Sequence, residues 1–326
     1  MTRVTTDLTE GLIAGDRRAL AKAITQVESS RADHREAADR LLETVLPRTG
    51  NAVRLGISGV PGVGKSTFIE AFGGFLIDQG KRVAVLAVDP TSRQSHGSIL
   101  GDKTRMERLA RDPDAFVRPS PAGATLGGVA RRTRESMLLC EAAGFDVILV
   151  ETVGVGQSET AVADMVDMFL LLLLPGGGDE LQGIKRGIVE LADAVIVNKA
   201  DGDMAAAAKR AAAEYHGALG LLKGMRGAWR PPVLQISALE HRGVDRVWDT
   251  VLRHQEVMRS TGAHGEKRKA QALDWMWSEI RESLMDAFQG HPGIAEDLAR
   301  LQAEVAAGAA SPGRAARALI RRFFAG

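Results

Sequence analysis

The sequence carries a glycine-rich loop that ends in a lysine and a hydroxyl residue. Residues 59–66 read GVPGVGKS and match the phosphate-loop pattern G-x-x-x-x-G-K-[ST], between an apolar run and a helical pattern. Lys65 would reach the β- and γ-phosphates of a nucleotide, and the Ser66 hydroxyl would ligate Mg²⁺. The segment therefore predicts a magnesium-dependent nucleotide site. The predicted nucleotide contacts here are Gly59, Gly62, Val63, Gly64, Lys65, Ser66 and Thr67.

A second motif follows the apolar run Ala194–Val197. Residues 198–201 read NKAD and resemble the N-K-x-D base-recognition motif of GTPases. An ionised Asp201 carboxylate can accept from the ring N–H and the amine of guanine, whereas adenine would leave it unpaired, at a cost of roughly 2–4 kcal/mol. Asn198 is expected to brace the loop, and the Lys199 stem is expected to cover one face of the base.

The last apolar run ends in the sequence ISAL, residues 236–239. It resembles the S-A-x loop that places a backbone N–H near the guanine carbonyl oxygen. Ser237, Ala238 and Leu239 are therefore further predicted nucleotide contacts. Together with NKAD, this segment indicates a GTP site.

Acidic residues at the ends of two predicted strands are candidate metal ligands. Glu151 opens the sequence ETVG at 151–154, where small GTPases have D-x-x-G, and its carboxylate can still offer an oxygen to Mg²⁺. The N–H of Gly154 can approach the γ-phosphate. Asp89 ends another apolar run, and strand ends that face a phosphate loop are where metal ligands belong in such sheets.

The polar segment 92–105 is typical of a switch loop. Asp102 is its only acid and could reach the metal or the attacking water. Ras-like enzymes have a water-orienting Gln directly after D-x-x-G, but Val155 stands there and the first Gln is Gln157. The sequence therefore predicts slow intrinsic hydrolysis and a partner that completes the site.

The glycine-rich segment 175–187 is a second candidate switch. Its Lys185 or Arg186 could close on the nucleotide or on a partner, and a surface loop with solvated charges is the alternative. Which of Asp102, Gln157 and Lys185 contributes most to hydrolysis stays open.

The spacing of apolar residues predicts the elements that position these motifs. Helical spacing fills residues 1–48, with one stripe at Leu20, Ala23, Ile24 and Val27 and another at Ala38, Leu41, Leu42, Val45 and Leu46. Apolar runs separated by helical stretches then indicate a parallel sheet with helices on both faces. The runs lie at 53–58, 82–88, 145–151, 168–174, 193–198 and 232–236.

Strand patterns stop after about residue 262, and three helical stripes follow. They are Leu273, Trp277, Ile280, Leu284 and Phe288; then Ile294, Leu298, Leu301 and Val305; then Ala316, Leu319, Ile320 and Phe323, after Ser311-Pro312. A segment of this size buries little surface alone, so the stripes should pack on the main domain or on a second subunit. The predicted domains are a helical extension at 1–48, a nucleotide-binding domain at 49–260 and a helical arm at 261–326.

Composition excludes several classes of function. The 326 residues are 45% hydrophobic and 25% charged, with a net charge of +1 that offers no field for nucleic acid or a membrane surface. The apolar run Met168–Leu174 is too short to span a bilayer. The single Cys140 and the lack of an N-terminal apolar segment favour a reducing, cytoplasmic location, with Cys140 as a buried residue.

Taken together, the motifs resemble those of the MeaB/ArgK-type G proteins, a family that includes the human methylmalonic aciduria type A protein. The resemblance covers essentially the whole chain. It rests on GVPGVGKST, VDPTS, SHGSILGDKTRM, ETVGVGQSE, LLLLPGGGDELQGIKRG and NKAD. It implies an α/β P-loop NTPase fold of the SIMIBI class, with a mostly parallel sheet, flanking helices and helical extensions at both ends.

The resemblance also implies a function. Such proteins are GTPases that bind adenosylcobalamin-dependent methylmalonyl-CoA mutase, gate cofactor loading and protect or rescue the mutase, and the C-terminal arm forms a homodimer. Isobutyryl-CoA mutase stays an alternative client, and the direction of gating stays open. By resemblance, Lys185 belongs to a switch that signals to the mutase. The phosphate and metal site maps to Lys65, Ser66, Asp89, Asp102 and Glu151.

Two other classes share the phosphate loop. A metallochaperone GTPase would bring Cys and His ligands to a metal, but Cys140 stands alone and His34, His96 and His241 lack ligand spacing. A kinase acting on a small molecule or transport protein is permitted by the loop, although the NKAD motif and the switch-like segments favour timed GTP hydrolysis.

Overall fold

The computed structural model describes residues 3–29, 31–88, 106–119, 126–152, 158–176, 186–221 and 228–325. The chain divides into two compact units, Met1–Gln271 and Ala272–Gly326. The predicted domain boundaries at 48/49 and 260/261 stay predictions.

Seven strands in the described ranges form one parallel sheet in the first unit. They are β1 (Val53–Gly59), β2 (Val83–Val88), β3 (Ala115–Arg118), β4 (Val147–Thr152), β5 (Met168–Leu173), β6 (Ala194–Val197) and β7 (Val233–Gln235). Their spatial order is β3-β2-β4-β1-β5-β6-β7. The predicted α/β fold class with a parallel sheet is confirmed.

Thirteen α-helices accompany these strands in the described part of the chain. The first eight are α1 (Arg3–Ile13), α2 (Arg17–Glu28), α3 (Ala32–Val45), α4 (Lys65–Asp78), α5 (Glu107–Arg111), α6 (Leu126–Ala142), α7 (Ser158–Ala163) and α8 (Arg186–Leu191). The last five are α9 (Ala205–Leu221), α10 (Val244–Ser260), α11 (Ala263–Gly290), α12 (Pro292–Ala306) and α13 (Pro312–Ala325).

Helices cover both faces of the sheet because its strands are apolar on both sides. β2, β4 and β5 are buried along their whole length, as expected for parallel strands between two helical layers. Leu55 and Ile57 of β1 belong to the apolar layer that includes α4 and α10. Ile148 and Val150 of β4 face the opposite layer, which includes α2, α3, α6 and α9.

The strand β3 is absent from the six predicted runs, which is a correction. It has only four residues, it pairs with β2 at the edge of the sheet, and Val117 and Arg118 are only half-buried. A strand this short shows too little apolar alternation to be recognised by pattern.

The first two predicted stripes lie on helices α2 and α3. Burial confirms all four positions of the first stripe and most of the second; the buried residues are Leu20, Ala23, Ile24, Val27, Ala38, Leu41 and Val45. Leu46 is instead 56% exposed, because α3 ends at Val45 and a 3-10 turn follows at Leu46–Arg48.

The amino ends of the strands carry a buried ion pair between Asp167, just before β5, and Arg268 of α11. Arg268 donates from Nε and one Nη to the two carboxylate oxygens at 2.8 Å each, and it also donates to the carbonyl of Ala52 at 2.7 Å. The backbone N–H of Arg54 donates to the same carboxylate at 2.9 Å. The first turns of α11 are thereby tied to β1 and β5.

Burial alone would raise the pKa of Asp167. The hydrogen bonds and charge of Arg268, together with the nearby His264 ring, outweigh that effect and hold its pKa below the usual range. Nearby, Lys267 lies 3.8 Å from the Asp193 carboxylate, and Trp229 donates to the Asp193 carbonyl at 2.8 Å.

In the second unit, α12 and α13 pack on each other and bury Ile294, Ala315 and Leu319. Helix α13 begins at Pro312, as the Ser-Pro pattern predicts. Ala316 is exposed and its neighbour Ala315 is buried, so the third predicted stripe is displaced by one residue at its start.

Four of the five stripe positions on α11 are exposed, and the fifth, Phe288, packs edge-on against Phe323 of α13, with 5.5 Å between the ring centroids. Leu273, Trp277 and Leu284 are 57%, 55% and 55% exposed, and Ile280 is 38% exposed. No helix in the described ranges combines the length and apolar character that crossing a bilayer requires. Cys140 is fully buried in α6, as predicted, and this burial raises the pKa of its thiol.

Candidate functional site

The phosphate loop connects the carboxyl end of β1 to the first residue of α4. Gly59 closes the strand and Gly64 precedes the helix with φ +91°, a left-handed backbone that favours glycine. A Cβ at Gly59 would lie 2.5 Å from the Leu172 carbonyl oxygen, and a Cβ at Gly64 would lie 2.9 Å from the Asn198 amide nitrogen. The loop is therefore packed too tightly for side chains at these two positions.

Lys65 is the first residue of α4, and its Nζ donates to the Gly59 carbonyl at 2.9 Å. Burial lowers the pKa of Lys65, whereas the carboxylates of Glu151 and Glu159 act in the opposite direction. The ammonium thus reaches from the start of α4 back to the end of β1, near the buried carboxylates of Glu151 and Glu159. A phosphate there would replace the carbonyl as its partner.

Ser66 and Thr67 occupy the same first helical turn, half-buried and exposed respectively. The backbone N–H groups of a first turn have no intrahelical partner, so they add a favourable site for an anion. Ser66, whose hydroxyl is the predicted Mg²⁺ ligand, therefore lies next to Lys65 at the start of α4.

Glu151 lies in β4, where it pairs in register with Ile57 of β1, and it is 4% exposed. The next residue, Thr152, donates from its hydroxyl to the Ser58 hydroxyl at 2.9 Å, which locks the ends of β4 and β1 together. The predicted acid is thus held beside the phosphate loop.

Sequence reasoning missed Glu159 as part of this site. It is the second residue of α7, 3% exposed, and its charge acts on Lys65. The sequence shows only an acid two residues beyond Gln157, and its proximity to Lys65 depends on how α7 packs in the fold.

Asn198 connects the phosphate loop to the base-recognition segments. Its side-chain N–H donates to the Val63 carbonyl at 2.8 Å, and its side-chain oxygen accepts from the Ala238 N–H at 3.1 Å. The residue is 2% exposed. One amide therefore links all three predicted nucleotide segments.

The neighbouring residues shape the base site. Lys199 is exposed with φ +56°, an uncommon conformation for a residue with a Cβ. The Ser237 hydroxyl donates to the half-buried Asp201 carboxylate. Ala238 is buried, whereas Leu239 is 75% exposed.

Arg242 also supports this region and was not anticipated from the sequence. Its guanidinium donates to the Ala200 carbonyl at 2.6 Å. Its backbone exchanges two hydrogen bonds of 3.0 Å with Ser237. A lone arginine after the ISAL segment gives no pattern from which this contact could be predicted.

Several predicted site residues lie outside the described residues. These are Asp89, Asp102, Gly154, Gln157 and Lys185. Their assigned roles stay predictions. The remaining predicted residues are brought together at the carboxyl edge of the sheet.

This arrangement defines a class of protein: a P-loop nucleotide-binding α/β protein. Comparison with known proteins then gives the family. Residues 20–293 match the family described as methylmalonyl Co-A mutase-associated GTPase MeaB, and the chain belongs to that family.

Individual relatives agree with this assignment. The chain is 52% identical over 323 residues to the mitochondrial methylmalonic aciduria type A homolog of Mus musculus, covering 96% of this chain and 78% of that protein. It is 49% identical over 272 residues to GTPase ArgK of Escherichia coli, covering 83% and 82%. A solved structure titled LAO/AO transport system kinase matches with TM-score 0.78 and 38% identity over 98% of both chains.

Proposed function

We propose that this protein hydrolyses GTP to GDP and phosphate and uses that turnover as a chaperone of adenosylcobalamin-dependent methylmalonyl-CoA mutase. The observation that carries the GTPase part is the Asn198 side chain, which bonds to Val63 of the phosphate loop and to Ala238 of the base loop. This link fixes the distance between the phosphates and the base. The family description and the mouse relative's name support the mutase as the client.

Different residues of the described site would bind the phosphates and the base of GTP. Lys65 exchanges its bond to the Gly59 carbonyl for the β- and γ-phosphates, and the N-terminus of α4 adds backbone donors. Asp201 accepts from guanine while Ser237 keeps its carboxylate oriented. Glu159 and Glu151 balance the Lys65 charge before the nucleotide enters.

The donor set also fits Mg²⁺. Ser66 and Glu151 supply the hard oxygens that this ion prefers, and both lie near Lys65, at the phosphate end of the site. Asp89 and Asp102 are the other proposed ligands. The ion, when bound, neutralises charge on the phosphates. We further propose that hydrolysis is slow until a partner completes the site, because Val155 replaces the water-orienting Gln.

We propose that the switch segments 91–106, 151–159 and 175–187 become ordered with GTP, because contacts to the γ-phosphate exist only in that state. Lys185 would carry the signal to the mutase, whose access to its cofactor changes when hydrolysis releases the segments. A cytoplasmic location is part of the proposal and rests on the single cysteine.

The homodimer is proposed to form through the arm 261–326. The exposed side chains of Leu273, Trp277 and Leu284 support this, since a monomer would leave a contiguous apolar helix face in water. The double variant Trp277→Asp/Leu284→Asp should be monomeric by light scattering at micromolar concentration. Glu282→Gln, on the opposite face of α11, should stay dimeric. A monomeric unmodified protein would refute this part.

Steady-state GTP hydrolysis, alone and with excess methylmalonyl-CoA mutase, tests the function. We expect slow turnover without the mutase, with a preference for GTP over ATP. Excess mutase should accelerate GTP hydrolysis strongly and saturably, and Lys65→Ala should abolish this acceleration. Asp201→Asn should reduce the preference for GTP over ATP. Unchanged selectivity would mean that another residue reads the base. Slow turnover without acceleration would support the GTPase assignment but would exclude this mutase as the client.

A kinase is the second candidate, because the solved relative is titled a transport system kinase. The two functions differ in the acceptor of the γ-phosphoryl group. For the GTPase, inorganic phosphate released equals GTP consumed, with and without an added acceptor protein. Phosphate recovered on the acceptor in place of inorganic phosphate would favour the kinase.

A further inference from the structure

The NKAD segment contains an unfavourable backbone conformation. Lys199 has φ +56°, a region that residues with a Cβ rarely adopt. Such a conformation persists only where the surrounding contacts enforce it, and it determines where the next residues of the chain lie. The contacts that hold residues 199–201 therefore decide where the carboxylate of Asp201 is placed.

The backbone of Ala200, between Lys199 and Asp201, is held on both sides. Its N–H donates to the Ile236 carbonyl at 2.9 Å, a contact between two backbone groups. Its carbonyl accepts from one Nη of Arg242 at 2.6 Å. The second contact comes from a permanently charged side chain, so it is charge-assisted and depends on the identity of residue 242.

The backbone of Arg242 also fixes Ser237, the residue that orients the Asp201 carboxylate. The two backbones exchange two hydrogen bonds of 3.0 Å. The Ser237 hydroxyl has a single proton, and its oxygen accepts from the Glu240 N–H at 3.1 Å. Its proton is directed to Asp201. Arg242 thus contacts both the segment that carries the carboxylate and the residue that orients it.

A surface ion pair is the other contact of the Arg242 side chain. One Nη lies 3.1 Å from the Glu240 carboxylate, and the two side chains are 61% and 51% exposed. An ion pair with this exposure contributes little to stability. The bond to the Ala200 carbonyl is different, because it lies inside the base-recognition motif and acts on the position of Asp201.

We propose that Arg242 is a positioning residue for guanine recognition. It holds residues 199–201 in the conformation in which Asp201 faces the base, and it acts without touching the nucleotide. This inference rests on the GTP site proposed above and adds a determinant of its specificity. Hydrogen bonds weaken steeply when their angles are lost, so both bonds from guanine to Asp201 depend on this placement.

The test compares GDP, IDP and ADP by calorimetry on the full chain. The three ligands share their phosphates and differ in the base: hypoxanthine keeps the ring N–H of guanine but lacks its amine, and adenine offers neither group to Asp201. Arg242→Met keeps much of the side-chain stem and removes the donors. It should weaken GDP binding about five- to tenfold, reduce the preference for GDP over IDP, and leave ADP binding unchanged.

Steady-state kinetics give a second readout. The contact with the base is made equally in the ground state and the transition state, so Arg242→Met should raise KM for GTP and leave kcat unchanged. Arg242→Lys should recover most of the GDP affinity, because an ammonium can donate to the same carbonyl. Glu240→Gln removes the ion pair alone and should keep GDP affinity. Arg246→Met, at an exposed position of α10, is the matched control.

The outcomes separate this inference from the proposed function. Unchanged affinity for GDP in Arg242→Met, with an unchanged preference over IDP, would overturn the positioning role. Equal weakening of all three nucleotides, together with a lower unfolding midpoint, would also overturn it, in favour of a general structural role. A wild-type protein without preference for GDP over ADP would instead refute the GTP site itself, and the positioning role with it.

Discussion

Buried charges lie both where the parallel strands begin, which we call the amino edge of the sheet, and where they end, the carboxyl edge. The two sets of charges differ in their partners. At the amino edge, Asp167 and Arg268 are paired through two hydrogen bonds of 2.8 Å, and the remaining donors of Arg268 bind backbone carbonyls. At the carboxyl edge, Lys65 has a carbonyl as its hydrogen-bond partner and two carboxylates nearby. The first set of charges is complete within the chain, and the second can exchange its partner for a ligand.

Unused hydrogen-bonding capacity distinguishes a binding site from a structural ion pair of similar burial. A pair that uses its full hydrogen-bonding capacity stabilises the fold and leaves nothing for a ligand. A charged group such as the Lys65 ammonium, whose hydrogen-bond partner is a neutral carbonyl, is held in position. Binding of an anion in place of the carbonyl would still lower its free energy. Substitutions at the amino edge should therefore change stability, and those at the carboxyl edge should change affinity.

Arg268→Ala should have the largest effect, because it leaves the Asp167 carboxylate buried without its main partner. We expect the free energy of unfolding to fall by about 3–5 kcal/mol, measured by denaturant titration. Arg300→Ala is the control, since its pairs with Asp297 and Glu304 are solvent-exposed. Equal losses in the two variants would contradict the structural role assigned to the amino edge.

Lys65→Ala should come next and should act on the ligand. Loss of the ammonium removes charge-assisted bonds to two phosphates, so GTP affinity by calorimetry should fall at least about 100-fold. The free energy of unfolding should fall less than in Arg268→Ala, because the hydrogen bond that is lost joins Lys65 to a neutral carbonyl, although Glu151 and Glu159 also lose a nearby positive charge. Lys269→Ala, at a 73% exposed position, is the control. Wild-type affinity in Lys65→Ala would refute the site.

Asn198→Ala should affect both properties, because this residue supports the fold and positions the site. Two buried backbone groups, of Val63 and Ala238, would lose their partner, at a cost of about 1–3 kcal/mol in unfolding free energy. GTP affinity should fall with it. Asn51→Ala, at an exposed position, should change neither. A stability loss with unchanged GTP affinity would show that the link does not position the nucleotide.

The carboxyl edge was largely predictable from sequence, whereas the amino edge was not. The phosphate loop and NKAD depend on local spacing, so they can be read from neighbouring residues. The pair Asp167 and Arg268 joins residues 101 positions apart. Neither residue lies in a pattern, so only the contact between the first turns of α11 and the ends of the strands reveals the pair.

The same reasoning explains the smaller errors. β3 was missed because four residues at a sheet edge carry too little periodicity. Glu159 was missed because its role depends on the distance between α7 and Lys65, which is a tertiary relation. The apolar runs of the central strands were found because burial on both faces makes them continuous.

The pH dependence of Arg268→Ala gives the smallest and most specific test. In the wild type the pKa of Asp167 is held low, so its contribution to stability is complete above its unfolded pKa of about 4. That contribution is lost only as the pH falls further, toward the folded pKa. In the variant, burial without Arg268 should raise the pKa, so the buried charge is relieved as the pH falls from 7 toward 4.

The stability difference between wild type and Arg268→Ala should therefore shrink on acidification from pH 7 to 4, by about 1.4 kcal/mol for each unit by which the pKa of Asp167 in the folded variant exceeds its unfolded value. Denaturant titrations at several pH values measure the effect. A constant difference would mean that Asp167 finds another cationic partner, such as His264, which lies 3.5 Å away.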